Sequence, residues 1–324
     1  MAQALIIVNA LNHAFHEDPN VGLVIIKGNH KAFCAGGDVV DLTSAFASGK
    51  IDHNKIFIQL MHTVHSFSKP YVAIIDGITM GGGCGLALNG EKFIIATERT
   101  MVAMPETYIG YFPDSGAAHF FKGKLGMFLG LTGFRLKGAD VFHTGLATHF
   151  VSSNDLPILE RHLLSLSTNE ASKEKIQEIL SKFHLKNLPP HTLQPHLEEI
   201  EKHFSKNSIE DIMDSLKNSN SEFSEKIYSD LQKLAPTALK VTFQHIRNAP
   251  QSTFHELLTI ENRLTQRFLR NHDFREGTRA LLIDKDKNPK WKPSTLEEVS
   301  QEMVDSYFQP LEIPEFEWFL ENHQ

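Results

Sequence analysis

Two acidic side chains, Glu106 and Asp114, lie close together in the stretch MPETYIGYFPD, which also contains Gly110 and Pro113. Carboxylates that follow an apolar strand can serve as a general base or as a nucleophile. The same residue types also have structural roles, because a Glu after a proline can stabilise the first turn of a helix and an Asp can cap a turn. The residues alone leave both interpretations open.

Two glycine-rich segments come earlier in the chain, and each follows an apolar run that predicts a buried strand. The first segment is KAFCAGGD, at residues 31–38, and the second is MGGGCG, at residues 80–85. Each turn can point a backbone N–H at one atom, and two such donors can form an oxyanion hole for a carbonyl oxygen. Glycines are also common in tight turns without a ligand. The spacing matches neither the phosphate loop nor the dinucleotide fingerprint.

The order of the predicted elements divides the chain into two regions. Short strands and helices alternate over residues 1–154, which predicts a parallel α/β core. Residues 155–324 have long stretches rich in Lys, Glu and Ser with helical periodicity, which predict a helical second region. Residues 39–53, rich in Ser, Gly and Asp, are expected to form a mobile stretch.

The composition narrows the classes of function. The net charge of −7 does not favour a nucleic-acid partner, and no apolar run approaches the roughly 20 residues of a membrane span. The 18 His are scattered without a pair in a metal-site context, so no metal site is predicted. Cys34 and Cys84 lie in the glycine-rich segments and are expected to be reduced. The 23 Phe are expected to line the core and an acyl pocket.

These segments together resemble a known family. The two glycine-rich segments, MPETYIGYFPD and LTGFRLKGADVFHTGLATHFV are similar to the crotonase (enoyl-CoA hydratase/isomerase) superfamily. Residues 261–293 resemble the C-terminal signature of its 3-hydroxyisobutyryl-CoA hydrolase branch. The resemblance implies an α/β fold, with a crotonase-like spiral of ββα units and a helical C-terminal half that packs on it. Relatives begin with a further strand pair, so the N-terminal strands are expected to be missing.

The resemblance also implies roles for individual residues. It implies that the N–H groups of Ala35 and Gly82 form the oxyanion hole for the thioester oxygen. Glu106 matches the catalytic glutamate, and Asp114 matches a second acid near the acyl hydroxyl or the attacking water. Glu106 would attack the thioester or activate water, and the sequence leaves that choice open. The expected substrate-binding residues are Gly36, Gly37, Asp38, Gly81 and Gly83.

The reaction that the resemblance implies is hydrolysis of 3-hydroxyisobutyryl-CoA to the free acid and CoA, a step of valine breakdown. Hydratases of the superfamily carry a second catalytic Glu where this chain has Gly85, which favours hydrolysis. One alternative is an enoyl-CoA hydratase or isomerase, and another is a non-catalytic member that binds acyl-CoA. Phe57 favours the second alternative, because it lies near a position that is acidic in the hydrolases.

The implied partner is an acyl-CoA, with CoA as part of the substrate and no separate cofactor. Superfamily members often form trimers but the hydrolase branch does so less consistently, so a homo-oligomer is one candidate and the sequence leaves the oligomeric state open. Relatives are mostly mitochondrial and sometimes peroxisomal. Residues 1–19 lack Arg and Lys and do not predict a transit peptide, and the final ENHQ is not a peroxisomal signal. A mitochondrial location therefore rests on the resemblance, with the peroxisome and the cytosol as alternatives.

Overall fold

The structure, a computed structural model, describes residues 2–15, 18–29, 31–47 and 53–312. By its internal contacts the chain divides into two compact units, each built from three segments. Unit 1 comprises Met1–Gly36, Leu60–Ala103 and Arg135–Gln194, and unit 2 comprises Gly37–Gln59, Met104–Phe134 and Pro195–Gln324. The predicted boundary at residue 154 falls within the third segment of unit 1, and that division of the chain stays a prediction.

Unit 1 contains two sheets between which the chain alternates. The strands are β1 (Val24–Lys27), β2 (Ala32–Cys34), β3 (Tyr71–Ile74), β4 (Ile78–Met80), β5 (Phe93–Ala96), β6 (Met101–Ala103), β7 (Leu136–Lys137) and β8 (His149–Phe150). Sheet A has the order β1-β3-β5-β8 and is parallel throughout. Sheet B has the order β2-β4-β6-β7, in which only β7 is antiparallel to its neighbour.

The first six strands alternate between the sheets, so each of these turns of the chain adds one strand to sheet A and the next to sheet B, which produces a spiral. Strand β7 then stays in sheet B before β8 returns to sheet A. Strand β3 illustrates why the sequence folds in this way. All its residues are buried, as expected for a short β-branched run inside a parallel sheet. Val24 pairs with Tyr71 and Val72 pairs with Phe93, so β3 lies between β1 and β5. The topology confirms the predicted ββα spiral and parallel α/β core.

The helices are concentrated after residue 155, as predicted. The α-helices are α1 (Ala2–Asn9), α2 (Val39–Ala47), α3 (His53–Ser66), α4 (Gly82–Leu88), α5 (Ala117–Phe120), α6 (Gly123–Thr132), α7 (Asp140–His143), α8 (Leu156–Leu164), α9 (Lys173–Phe183), α10 (Leu197–Phe204), α11 (Ile209–Lys217), α12 (Glu222–Leu231), α13 (Pro236–Asn248), α14 (Phe254–Arg270), α15 (His272–Thr278) and α16 (Gln301–Phe308). Short 3₁₀ or π helices occupy Ala10–Phe15, Glu106–Ile109, Ser153–Asp155, Gln194–His196, Ala249–Gln251 and Arg279–Ile283. No helix in the described ranges has the length and apolar character needed to cross a membrane.

Each unit has its own apolar core. In unit 1, helices α8 and α9 bury Leu159 and Ile176 against Val72 and Ile95 of sheet A. The core of unit 2 is aromatic and contains Tyr111, Phe112, Phe268 and Phe274. Tyr111 lies 4.8 Å from Phe274 and 5.5 Å from Phe268 between ring centroids, so the residues just before Asp114 are held in a packed aromatic cluster.

One local prediction was wrong. The stretch expected to be mobile over residues 39–53 contains helix α2, and α3 begins at its last residue. Asp38 caps α2, since its Oδ1 accepts a hydrogen bond from the Asp41 N–H at 3.0 Å. Val39 and Leu42 pack against the aromatic core of unit 2. Burial of this apolar face overrides the weak helix propensity of Ser and Asp, and residues 48–52 lie outside the described ranges.

Candidate active site

The two glycine-rich turns of unit 1 lie side by side where β2 and β4 end. These strands are parallel neighbours, so their carboxyl ends meet at one edge of sheet B. Gly36 has a φ of 93°, and a Cβ added there would lie 3.2 Å from Met80 O and 3.5 Å from Gly82 N. A Cβ on Gly83 would lie 2.2 Å from the carbonyl oxygen of Cys34. The close approach of the two turns therefore requires glycine at position 83.

The amides of Ala35 and Gly82 are the two donors that the resemblance implies. Neither donates a turn or loop hydrogen bond within the described part of the chain. Ala35 is exposed, and Gly82 is the first residue of α4, where helical N–H groups lack partners inside the helix. Gly81 differs, since its N–H donates to Ala103 O at 3.3 Å. The turns therefore present the Ala35 and Gly82 amides and use the Gly81 amide within the fold.

The remaining residues singled out from the sequence have varied surroundings. Gly37 and Asp38 belong to unit 2, where a Cβ on Gly37 would meet nothing within 4 Å and Asp38 caps α2. Phe57 is half-buried on α3. Gly85 is buried in α4, and its carbonyl accepts a hydrogen bond from Asn89 Nδ2 at 2.9 Å. Helix α4 therefore carries no carboxylate at the position that is a Glu in hydratases.

The two predicted acids belong to unit 2, and Glu106 opens the 3₁₀ helix that follows Met104 and Pro105. The residue is only 9% exposed. Its buried Oε2 atom has no hydrogen-bond partner among the residues that the structure describes. Burial, and then the charge of Asp114, raise the pKa of Glu106 well above its usual range. Once ionised, such a carboxylate takes up a proton more readily than an exposed one.

Asp114 lies in the turn before α5, and its charge acts on the Glu106 carboxyl group. Ser115 Oγ donates a hydrogen bond to Asp114 Oδ1 at 2.7 Å. Burial, and then the charge of Glu261, raise the pKa of Asp114 to about 7, although the hydroxyls of Ser115 and Tyr111 act to lower it. The two acids therefore form a coupled pair whose protons are held more tightly than those of surface carboxylates.

Three side chains near Asp114 were not singled out from the sequence, namely Glu261 and Thr265 on α14 and His245 on α13. Both carboxylate oxygens of Glu261 accept the Gly116 N–H at 3.0 Å, and His245 Nε2 lies 3.5 Å from Glu261 Oε1. Thr265 Oγ1 lies 2.8 Å from the Tyr111 hydroxyl. One feature of the sequence could have indicated Glu261 and Thr265, because they lie one helical turn apart within the C-terminal segment 261–293.

Helix α15 packs directly on the 3₁₀ helix of Glu106. A Cβ added to Gly110 would lie 2.6 Å from Asp273 O, and one added to Gly277 would lie 2.4 Å from Ile109 O. Both contacts are with backbone atoms, which cannot move aside as the end of a side chain can. The conformation of the segment that carries Glu106 therefore depends on glycines in both elements.

Known proteins are similar to this chain over most of its length. The 3-hydroxyisobutyryl-CoA hydrolase, mitochondrial, of Gallus gallus is 46% identical over 309 residues, which cover 92% of this chain and 80% of that protein. The protein of the same name from Homo sapiens is 44% identical over 309 residues, with coverages of 92% and 79%. The similarity therefore extends through both units.

Two solved structures share the fold over nearly the whole chain. A carnitinyl-CoA dehydratase from Mycobacterium thermoresistibile has a TM-score of 0.86 at 29% identity, covering 96% of this chain and 89% of its own. An enoyl-CoA hydratase from Rhodobacter sphaeroides has a TM-score of 0.83 at 31% identity, with coverages of 96% and 90%. The sequence profile of the enoyl-CoA hydratase/isomerase family matches residues 4–308. The chain therefore belongs to the enoyl-CoA hydratase/isomerase, or crotonase, family.

Proposed function

We propose that this chain hydrolyses 3-hydroxyisobutyryl-CoA to 3-hydroxyisobutyrate and CoA. The observation that carries the proposal is the coupled pair of Glu106 and Asp114, both with raised pKa values, together with the absence of a carboxylate from α4 at Gly85. Relatives that carry the name of this hydrolase are 44–46% identical to the chain over 92% of its length. They support both the reaction and the acyl group.

In the proposed mechanism, the amides of Ala35 and Gly82 donate to the thioester oxygen as negative charge develops there. Loss of one such donor typically slows a reaction by about 10²- to 10³-fold. Glu106 either attacks the acyl carbon to give an anhydride or takes a proton from the attacking water. In both cases the carbon–sulfur bond breaks, and the CoA thiolate leaves and takes up a proton. In the anhydride route, water then attacks the acyl carbon of the anhydride, which releases the acid and regenerates Glu106. In the other route, water attacks the thioester carbon directly and becomes part of the new acid.

Asp114 is proposed to recognise the hydroxyl of the acyl group or to hold the attacking water. Its raised pKa suits both tasks, because the protonated form donates a hydrogen bond and the ionised form accepts one near neutral pH. Gly36, Gly37, Asp38, Gly81 and Gly83 are proposed to line the path of the substrate around these groups. Water is the only co-substrate in the proposed reaction, because CoA enters as part of the thioester.

The reaction type is tested by two parallel assays on the purified chain. With 3-hydroxyisobutyryl-CoA, we expect free thiol to appear and to be detected with a colour reagent. With crotonyl-CoA, we expect the enoyl absorbance to persist, because Glu106 has no second acid on α4 to share the proton transfers of hydration. Fast loss of that absorbance without free thiol would instead identify a hydratase. Neither signal, from a folded sample that binds a CoA thioether, would identify a non-catalytic binding protein.

The acyl preference is tested by Asp114→Asn. The ratio of thiol release from 3-hydroxyisobutyryl-CoA to that from isobutyryl-CoA is expected to fall in the variant, because the two substrates differ by the hydroxyl that Asp114 is proposed to contact. Asp214→Asn, at an exposed position on α11, serves as the control. An unchanged ratio in Asp114→Asn would remove this residue from acyl recognition.

The cellular location and the assembly of this chain are further proposals. Since the named relatives are mitochondrial proteins, we propose a mitochondrial location for this chain, to be tested by fractionation of cells that produce it. A homo-oligomer is proposed from the family resemblance. Light scattering on the purified protein measures the mass directly, and a mass equal to the 36.5 kDa of one chain would contradict it.

A further inference from the structure

Helix α14 holds the turn of Asp114 at two points. Glu261 and Thr265 lie one helical turn apart and therefore on the same face of α14. Glu261 accepts the N–H of Gly116, and Thr265 contacts the hydroxyl of Tyr111. Since Tyr111 and Gly116 lie on either side of Asp114 in the sequence, one helix fixes both flanks of the turn.

The Glu261 carboxylate is deeply buried, with 3% of the residue exposed, and its neighbour His245 is 2% exposed. A buried carboxylate is costly unless other groups satisfy it. Its described partners are the Gly116 N–H at 3.0 Å and His245 Nε2 at 3.5 Å. The buried Glu261 carboxylate therefore depends on these two polar contacts as well as on apolar packing.

The backbone of the turn explains why such a contact is needed. Ser115 has a φ of 63°, in the left-handed region that a residue with a side chain rarely adopts, and Gly116 has a φ of 78°. A residue held in that region is strained and persists only where its surroundings hold it in place. The hydrogen bond from Gly116 to Glu261 provides one such constraint directly after Ser115.

The charged and titratable groups around Asp114 come from several elements. Glu106 of the 3₁₀ helix, Tyr111 of the preceding turn and Glu261 of α14 each interact electrostatically with Asp114. Behind Glu261 lies His245 on α13. Burial is the largest cause of the raised Asp114 pKa, and the charge of Glu261 is the second.

We propose that Glu261 is a positioning residue for Asp114, which it serves by holding the turn through the Gly116 N–H and by acting electrostatically on the Asp114 carboxyl group. The catalytic consequence rests on the proposed hydrolase function, whereas the structural and electrostatic consequences do not. In the absence of the Glu261 charge, Asp114 ionises at a lower pH. In the absence of the Gly116 contact, the turn relaxes and Asp114 moves from its place.

Two variants separate charge from geometry. Glu261→Gln removes the charge and keeps an acceptor oxygen for Gly116, whereas Glu261→Asp keeps the charge on a shorter side chain. The pKa of Asp114 is measured by ¹³C NMR of labelled Asp carboxyl groups, with the resonance assigned through Asp114→Asn. We expect the pKa to fall from about 7 in Glu261→Gln and to remain raised in Glu261→Asp. This readout does not depend on turnover of any substrate.

Kinetics provide the second readout. Misplacement of a reacting group by about 1 Å can cost on the order of 10²-fold in rate, so Glu261→Asp is expected to lower kcat by about 10- to 100-fold with a smaller change in KM. In Glu261→Gln, the limb of the pH–rate profile that reports Asp114 is expected to move to lower pH. Glu225→Gln, at an exposed position on α12, is the control and should change neither quantity.

The outcomes are distinct. An unchanged Asp114 pKa in folded Glu261→Gln overturns the electrostatic role, and wild-type kcat in Glu261→Asp overturns the positioning role. A lower melting temperature with an unchanged pKa and profile identifies a purely structural residue and also overturns the proposal. If Glu261→Gln does not fold, Glu261→Asp decides the matter through kcat. If the wild-type chain releases no thiol from 3-hydroxyisobutyryl-CoA, the proposed function fails, while the NMR titration still judges Glu261.

Discussion

Glu106 combines a buried carboxyl group with an Oε2 atom that has no partner among the described residues, which is a costly state for an ionised side chain. Proteins keep such groups mainly where chemistry uses them. In Glu106→Gln we expect thiol release to fall by about 10²- to 10⁴-fold, the usual contribution of a general base. Binding of a non-hydrolysable CoA thioether, measured by calorimetry, should stay within a few-fold of wild type. Near-normal turnover would remove Glu106 from the chemistry.

The raised pKa of Asp114 also predicts how the stability of the folded chain depends on pH. Its pKa is about 7 in the folded chain, compared with about 3.9 for an unfolded Asp. The folded state therefore binds this proton more tightly, and the resulting stabilisation is full below about pH 4 and is lost as the pH rises to about 7. Asp114→Asn does not titrate, so its melting temperature relative to wild type should increase across this window. Asp214→Asn, on the exposed face of α11, should show no such trend, and a flat difference for Asp114→Asn would contradict the raised pKa.

At the scale of elements, the contact between α15 and the 3₁₀ helix of Glu106 depends on Gly277. In Gly277→Ala the new methyl group would meet the backbone of Ile109 at 2.4 Å, and overpacking of this kind typically costs about 1–3 kcal/mol. We expect this loss of stability in denaturant unfolding, with a lower kcat because the segment of Glu106 must shift.

The matched control for Gly277→Ala is Gly130→Ala on α6. A methyl group there would lie 2.4 Å from Ile246 Cδ1, the flexible end of a side chain, so rotation of Ile246 can relieve the clash. We expect a smaller loss of stability and a kcat close to wild type. Equal effects of the two substitutions would show that the backbone contact of α15 does not set the position of Glu106.

At the scale of the whole molecule, the features that could be predicted are those that depend on residues close together in the sequence. The buried strands, the two glycine turns and the helical second half all follow from short-range composition. For Glu261 the local signal, its helical spacing from Thr265, did not identify its partner Gly116, which lies 145 residues away and meets Glu261 only in the folded chain. Helix α2 was missed for a related reason, since Ser and Asp suggested a mobile stretch while packing of Val39 and Leu42 favoured a helix.

The alternation of the chain between two sheets also governs the order in which unit 1 can be completed. Sheet A joins Val24 to Tyr71 and Ile95 to His149, so every pairing waits for a distant part of the chain. Such non-local parallel contacts form slowly, because long loops must close at an entropic cost before the strands gain any pairing energy. During synthesis from the N-terminus, sheet A remains without its last strand until β8 has left the ribosome. The nascent chain therefore exposes an unpaired edge of β5 throughout that interval, when association with other chains is most favourable.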